Sequence, residues 1–309
     1  MNILITGGTG LIGRHFINKY LHQHHFTVLS RQIHPQLFSS ELPGDAKEHQ
    51  GKNDIVLIQH LQGFENLDAF DAVINLQGES LADTRWSEKQ KQRLCQSRWQ
   101  VTEQLSQLIN QSTSPPEVFL SGSAIGYYGR QQTFDIGENF TDCYPEFSHD
   151  LCQTWEEKAL QCREKTRICL LRTGIVLSKN GGALAKMLPP FSFGLGGPIA
   201  DGRQFMSWIH IDDYCQALNY LLQQENISQA VNLTAPTPVS NKEFSQTLAS
   251  QLHRPCFMPM PGPVLKLLIG EMAELLIHGQ HVVPKKLLDA GFTFEYPTLE
   301  QALAQLLAK

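Results

Sequence analysis

The sequence predicts an α/β fold, a doubly wound parallel sheet joined to a smaller, mostly helical C-terminal lobe. Short apolar runs alternate with amphipathic helical patterns over the first 175 residues, an order that a parallel sheet covered on both faces accommodates. The run 71–76 (D-A-V-I-N-L) is apolar at its centre without polar alternation, as a strand buried on both sides must be. The first 31 residues read as strand, glycine turn, helix and strand, the opening half of a dinucleotide-binding unit.

Asn2–Thr6 (N-I-L-I-T) is the first expected strand. Gly7-Gly8-Thr9-Gly10-Leu11-Ile12-Gly13 follows, then a helical pattern and a second apolar run at 26–30 that closes on Arg31. In this setting Gly7 permits the tight turn, Gly10 lets the backbone approach a pyrophosphate, and Gly13 lets the helix pack close to the sheet. The helix N-terminus offers free N–H groups and a positive dipole end to the phosphates. Residues 34–53 are polar, with Pro35, Pro43, Gly44 and Gly51, and read as loop. Residues 54–59 and 71–76 are strands. Ser87 and Gln90 fit a capping box, after which Leu94, Val101, Leu105 and Leu108 mark one face of a long helix. A strand starting at 117–120 runs into Ser121-Gly122-Ser123, a helix covers 149–163, and 167–172 (R-I-C-L-L-R) is again a strand.

Beyond Gly174 the character changes. Gly181-Gly182 precede a short helix, and 189–202 is rich in Gly and Pro. Residues 208–211 read as a strand, with Asp212 the expected N-cap of a helix through Leu222, and 230–234 add one more strand. Ser240 with Glu243 and Thr298 with Gln301 are further capping boxes, and the Pro-rich link 255–263 leads into the last lobe. The expected organisation is a Rossmann domain over 1–175, to which 208–234 return, and a smaller substrate-side lobe and tail over 176–309.

Composition bounds the class. At 41% hydrophobic and 18% charged residues the chain is ordinary globular protein, and its net charge of −5 gives no electrostatic reason to expect nucleic acid or an anionic membrane as partner. Seven cysteines, odd in number and without C-x-x-C spacing, point to free thiols in a reducing compartment. A strand beginning at Asn2 leaves no room for a leader peptide, and no apolar run reaches spanning length. The expectation is a cytoplasmic protein whose partners are a small-molecule substrate and, at most, a second copy of the chain. No His, Cys or Asp cluster has metal-ligand spacing.

The residue closing the second strand selects the cofactor. An acid there accepts from the adenosine ribose and selects NAD, whereas an arginine accommodates a 2′-phosphate. The strand ends Leu29-Ser30-Arg31-Gln32, with no acid before Glu41, so Arg31 predicts NADP(H).

The glycine spacing G-x-x-G-x-x-G, as T-G-G-T-G-L-I-G, resembles the extended and atypical short-chain dehydrogenase/reductase superfamily, which includes nucleotide-sugar epimerases and dehydratases. Asn75-Leu76-Gln77-Gly78 is similar to that superfamily's cofactor-lining N-L-A-G segment, implying cofactor contacts for Leu76, Gln77 and Gly78. Ser121-Gly122-Ser123-Ala124-Ile125-Gly126-Tyr127-Tyr128-Gly129 resembles its S-S-S-A-x-x-Y-G signature, which places Ser123 on the catalytic serine. The Tyr-x-x-x-Lys that should follow is absent: no tyrosine here has Lys four residues later, and the usual spacing lands on Ser148 and Cys152. Serine kept, lysine replaced by cysteine and a helix asparagine replaced by Arg98 is the pattern of an atypical "epimerase family" branch. The segments L-R-T-G-I-V-L-S and G-R-Q-x-M-S-W-I-H-I-D-D, and a tail domain of unassigned role, also resemble this branch.

The resemblance implies hydride exchange with a small polar substrate, with Ser123 on the substrate oxygen, Tyr127 or Tyr128 as proton donor and Arg98 as anion or carbonyl partner. Cys152 occupies the lysine's place, although a free helix cysteine ordinarily packs inertly. His210 reads as a hydrogen-bonded core residue, and Lys285-Lys286 as a solvated face. Two other readings stay open: an NADP(H)-binding sensor without turnover, and internal redox epimerisation of a nucleotide sugar.

Overall fold

The computed structural model describes residues 1–31 and 55–308. The expected loop over 34–53 and Asp54, at the head of the third strand, lie outside them. In chain order the elements are β1 (Asn2–Thr6), α1 (Leu11–Tyr20), β2 (His25–Leu29), β3 (Val56–Ile58), β4 (Ala72–Asn75), α2 (Glu88–Gln111), β5 (Val118–Ala124), α3 (Phe147–Ala159) and β6 (Arg167–Thr173). There follow β7 (Ile175–Ser178), α4 (Gly182–Ser192), β8 (Phe205–Met206), β9 (Trp208–His210), α5 (Ile211–Gln223), β10 (Gln229–Leu233), β11 (Val239–Ser240) and α6 (Asn241–Gln251). The tail holds α7 (Gly262–Ile269), α8 (Glu274–Ile277), α9 (Lys285–Asp289) and α10 (Leu299–Leu307).

Seven strands form one parallel sheet in the order β3-β2-β1-β4-β5-β6-β10. Strand order reverses between β1 and β4, so the crevice at their C-terminal ends is where this topology places a ligand. Side-chain alternation explains the two covered faces. Ile3, Ile5, Ile74, Leu120 and Leu171 point into a cluster with Phe16, Ile17, Tyr214 and Leu218 of α1 and α5. Leu4, Val73, Phe119 and Leu170 point the other way, onto Val101, Leu105 and Ile109 of α2 and Ala159 of α3. All of these are nearly or fully buried.

The elements differ from the sequence expectation at three points. Ser87 caps α2 by accepting from Gln90 N, but the Gln90 side chain donates to Glu79, so the reciprocal half of the box is absent. The N-cap of α5 is His210 rather than Asp212: its Nδ1 accepts from Asp212 N, and Asp212 pairs instead with His15 and Lys19. Strand β9 does not join the main sheet but pairs with β7 in a two-stranded ribbon, so of this stretch only β10 joins the sheet, while Ile209 of β9 and the apolar face of α5 pack into its core.

The second lobe has its own cluster, in which Leu184, Phe191, Trp208, Phe244 and Leu248 meet Leu299, Leu303 and Leu306 of α10. The tail is also stitched into the first core. Leu287, Phe292 and Phe294 belong to the same buried cluster as Ile3. Ser207 Oγ donates to Gln280 O and accepts from Val282 N, while Asn232 Nδ2 donates to Val283 O. Gly279 rests directly on the Phe205 backbone, where a side chain would collide with Phe205 O.

Candidate nucleotide crevice and its polar clusters

The glycine loop has the geometry that a dinucleotide phosphate requires. Gly7 turns the chain off β1 at φ +70, and a Cβ there would lie 2.7 Å from the Leu76 carbonyl carbon, so only glycine fits. Gly10 is the exposed N-cap of α1, with no side-chain cap, and a Cβ on it would meet only Gly7 O at 3.2 Å. The N-terminus of α1, with its helix dipole, therefore carries no side-chain cap at the exposed Gly10. Gly13 differs from expectation. A Cβ there would strike Gly7 O and come within 2.6 Å of Gly8 Cα, so Gly13 seats the helix on the loop rather than on the sheet. Gly8 makes the approach to the sheet, since its Cβ would collide with Val28 and Ile17. Thr9 and Ile12 are half-buried, and Leu11 reaches across to Gly181, bringing the start of α4 against the glycine loop.

A buried hydrogen-bond chain fixes the opposite wall. Thr6 Oγ1 donates to Asn75 Oδ1 at 2.6 Å, and Asn75 Nδ2 donates to Thr102 Oγ1 at 2.8 Å. That hydroxyl also accepts from Trp155 Nε1 and donates to Arg98 O. The ends of β1 and β4 are thereby tied to α2 and α3. Gln77 N donates to Asn75 Oδ1, continuing the tie into Leu76-Gln77-Gly78. Beneath Gly78 lies the Arg98 guanidinium, close enough that a Cβ on Gly78 would be 2.8 Å from its Cζ. Arg98 donates to Leu94 O and Glu79 O and lies over the Trp155 ring, and burial pulls its pKa below the usual value.

A second cluster holds the remaining expected residues. Ser123 Oγ donates to Glu156 Oε1 at 2.6 Å. Both Glu156 oxygens are gripped by Arg172, whose Nε and Nη2 donate at 2.9 Å. Arg172 Nη1 donates to the Tyr128 hydroxyl, which donates in turn to Asn232 Oδ1 at 2.7 Å. Asn232 N donates to Glu138, whose carboxylate also receives Lys286 N, and burial raises the Glu138 pKa. Tyr128 is fully buried and its pKa is pushed up to about 12 by desolvation, so it is a structural hydrogen-bonding residue as the cluster stands. Tyr127 is half-buried, with Arg172 Cζ 3.5 Å from its ring centroid. Burial raises its pKa too, so it holds its proton at neutral pH.

Arg31 is exposed two residues after β2. Cys152 packs with Leu94, Leu151 and Trp155, and desolvation pushes its thiol up to about 12, which leaves no thiolate for chemistry. His210 is fully buried with Nε2 against Gln305 Oε1, in keeping with a core role. Lys286 departs from expectation, being half-buried with Nζ on Ser228 O. A groove of about 500 Å³ between α2 and the start of α3, lined by Lys91, Trp99, Phe147 and Glu271, uses none of the glycine-loop or Ser123 residues. No helix among the described residues is long and apolar enough to cross a membrane.

Sequence reasoning missed Glu156 and Arg172, yet both left a signal. Ser148, Cys152 and Glu156 are spaced i, i+4, i+8 on one face of α3, so Glu156 lies one turn beyond the position counted for the missing lysine. Arg172 follows the apolar run 168–171 inside β6 and is buried, and a charge at such a position demands a partner.

Comparison with known proteins fits this architecture. Residues 3–234 match the NAD dependent epimerase/dehydratase family, and residues 260–306 match a domain of unknown function, DUF1731. The chain is 36% identical over 314 residues to epimerase family protein YfhF of Bacillus subtilis, covering 100% of this chain and 98% of that one. It is 36% identical to the chloroplastic SDR39U1 homolog of Arabidopsis thaliana, covering 99% and 87% respectively. The crystal structure of human epimerase family protein SDR39U1 (isoform 2) with NADPH superposes with a TM-score of 0.88 at 31% identity, covering 99% of each chain. Glycine loop, seven-stranded parallel sheet and C-terminal domain thus agree along the whole length, and the chain belongs to the NAD dependent epimerase/dehydratase family, in its epimerase family protein SDR39U1/YfhF branch.

Proposed function

We propose that this protein binds NADP(H) across the crevice between β1 and β4 and acts as an oxidoreductase or epimerase-like enzyme on a small polar substrate beneath the second lobe. The carrying observation is the glycine loop: Gly7 at positive φ, Gly10 open to the crevice and Gly13 seating the uncapped α1 terminus. That the human relative was crystallised with NADPH supports the same cofactor here. Arg31 would meet the 2′-phosphate, the Gly7–Gly13 loop the pyrophosphate, and Leu76, Gln77 and Gly78 the facing side of the cofactor. The bound nicotinamide would supply or accept hydride.

The protein's own groups provide the rest. Ser123 gives its proton to Glu156, so it offers lone pairs to a substrate hydroxyl unless substrate displaces that bond. Tyr127, protonated and less buried than Tyr128, is the better proton donor. Cys152 takes no part.

The test combines calorimetric NADPH binding with single-turnover NADPH oxidation against panels of carbonyl compounds and nucleotide sugars. A product assay covers epimerisation, where the cofactor shows no net change. Ser123→Ala should depress turnover by about 10²-fold or more while leaving NADPH affinity nearly unchanged. Tight binding with no turnover on any panel favours the second reading, a sensor of NADP(H). That reading draws support from Ser123, Glu156, Arg172 and Tyr128, which satisfy one another without a substrate.

A further inference from the structure

Arg98 and Arg172 are both buried arginines, but their charges are treated differently. Arg172 is neutralised by a two-point pair with Glu156. Arg98, at 7% exposure, has no carboxylate within ion-pair distance among the described residues. Its acceptors are the Leu94 and Glu79 carbonyls and the Ser97 hydroxyl, all neutral. The nearby Glu79 carboxylate is engaged elsewhere, by Gln90 Nε2 at 2.9 Å and Arg93 Nη2 at 3.5 Å. Carbonyl acceptors satisfy the geometry of a guanidinium but leave its net charge, which the Glu79 carboxylate offsets only from outside contact distance, and a buried cation without a directly paired counter-charge is costly. The field of such a charge is weakly screened and extends into adjoining space. Here the guanidinium lies behind Gly78, where an added Cβ would be 2.8 Å from its Cζ, and Gly78 itself is exposed. The glycine is what allows the contact, since any larger residue would push the charge away. The Thr6-Asn75-Thr102 chain, through Arg98 O, anchors the same turn of α2 to the strand ends that form the crevice.

We infer that Arg98 holds a fixed positive potential on the crevice and thereby makes the protein favour the reduced dinucleotide over the oxidised one. The inference rests on the dinucleotide reading above. Its chemical basis is a charge difference: the nicotinamide ring is neutral when reduced and cationic when oxidised, while the phosphates of the two forms are the same. A fixed cation on the wall therefore separates the two forms by one unit of charge. Arg31 cannot do so, because its partner, the 2′-phosphate, is common to both. Arg98 is on this account an electrostatic positioning residue for the cofactor, and bound nicotinamide would have its reduction potential raised relative to the free couple.

The experiment is calorimetric titration of NADPH, NADP⁺ and NADH into the full chain, into Arg98→Gln and into Arg98→Lys, with circular dichroism and thermal melts as checks of folding. The unmodified protein should bind NADPH about tenfold or more tightly than NADP⁺. Arg98→Gln keeps donors for Glu79 O or Leu94 O without charge, and its NADPH/NADP⁺ ratio should fall toward one. Arg98→Lys should retain most of the ratio. Equal affinities in the unmodified protein overturn the inference, and this arm needs no variant to fold. A folded Arg98→Gln that keeps the original ratio, or that loses both forms equally, overturns it as well. If the unmodified protein binds none of the three nucleotides, the dinucleotide reading itself falls, an outcome distinct from equal tight binding.

Discussion

Removing one partner of the Arg172–Glu156 pair should be among the most damaging single changes outside the hydrophobic core. Arg172 is 5% exposed and Glu156 4%, and the pair meets through two bonds of 2.9 Å. Arg172→Met leaves the Glu156 carboxylate buried with Ser123 as its remaining side-chain donor, and withdraws the donor to the Tyr128 hydroxyl. Stranding one charge of a buried pair costs about 3–5 kcal/mol, whereas replacing both partners with apolar groups of similar volume is often nearly neutral. Arg172→Met and Glu156→Leu should therefore each destabilise by about 3 kcal/mol or more, and the double variant should be less destabilised than either. The assay is urea unfolding of the four proteins, followed by the fluorescence of their four tryptophans, of which Trp155 precedes Glu156 on α3. A coupling energy below about 1 kcal/mol would refute the reasoning, because it would mean that the two charges are solvated separately.

Four further outcomes follow from the geometry. Gly10→Val should fold normally, since its Cβ meets only Gly7 O at 3.2 Å, but should lose NADPH binding; retained binding by calorimetry would reduce the loop to a mere turn. Arg31→Ala should cut the preference for NADPH over NADH by about tenfold, leaving the NADPH/NADP⁺ ratio intact. Asp212, held down to about 2 by His15 and Lys19, has a folded pKa below its unfolded one. Its stabilisation is thus full above about pH 4 and lost as pH falls toward 2, so Asp212→Asn should flatten that acid limb in thermal melts, by on the order of 2 kcal/mol. Brief alkylation of native protein with mass mapping should label the half-buried Cys143 and Cys256 before the buried Cys152 and Cys215; early labelling of Cys152 would contradict its packing.

What the sequence revealed is what local physics encodes. The turn at Gly7, the α1 terminus and the all-apolar strands depend on neighbours within a few residues, and they stand where the pattern placed them. Ser123, Tyr128 and Cys152 could be located by motif but not given their surroundings. The hydroxyl of Ser123 finds Glu156, 33 residues on, and Tyr128 finds Asn232, 104 residues on. That Gly8 rather than Gly13 lies against the sheet is of the same kind, because which glycine touches the sheet depends on the angle at which α1 leaves the loop. Asp212 was expected as a cap because short acids accept from helix termini, yet His210 Nδ1 is held in place by its other nitrogen on Gln305 and takes that N–H first.

The stitching of the tail bears on how the molecule comes off the ribosome. Leu287, Phe292 and Phe294 close the α5–β10 end of the buried cluster that contains Ile3, where Phe292 meets Tyr220 and α9 packs on β10, so this edge of the sheet stays uncovered until the last elements have been synthesised. At elongation rates of about 5–20 residues per second, the nascent apolar face waits many seconds for its cover. Ser207, Thr234 and Asn232 likewise wait for the backbone at 280–283. The DUF1731 segment therefore closes the α5–β10 edge of the fold, and a chain stopped before it should expose that apolar surface to chaperones and proteases.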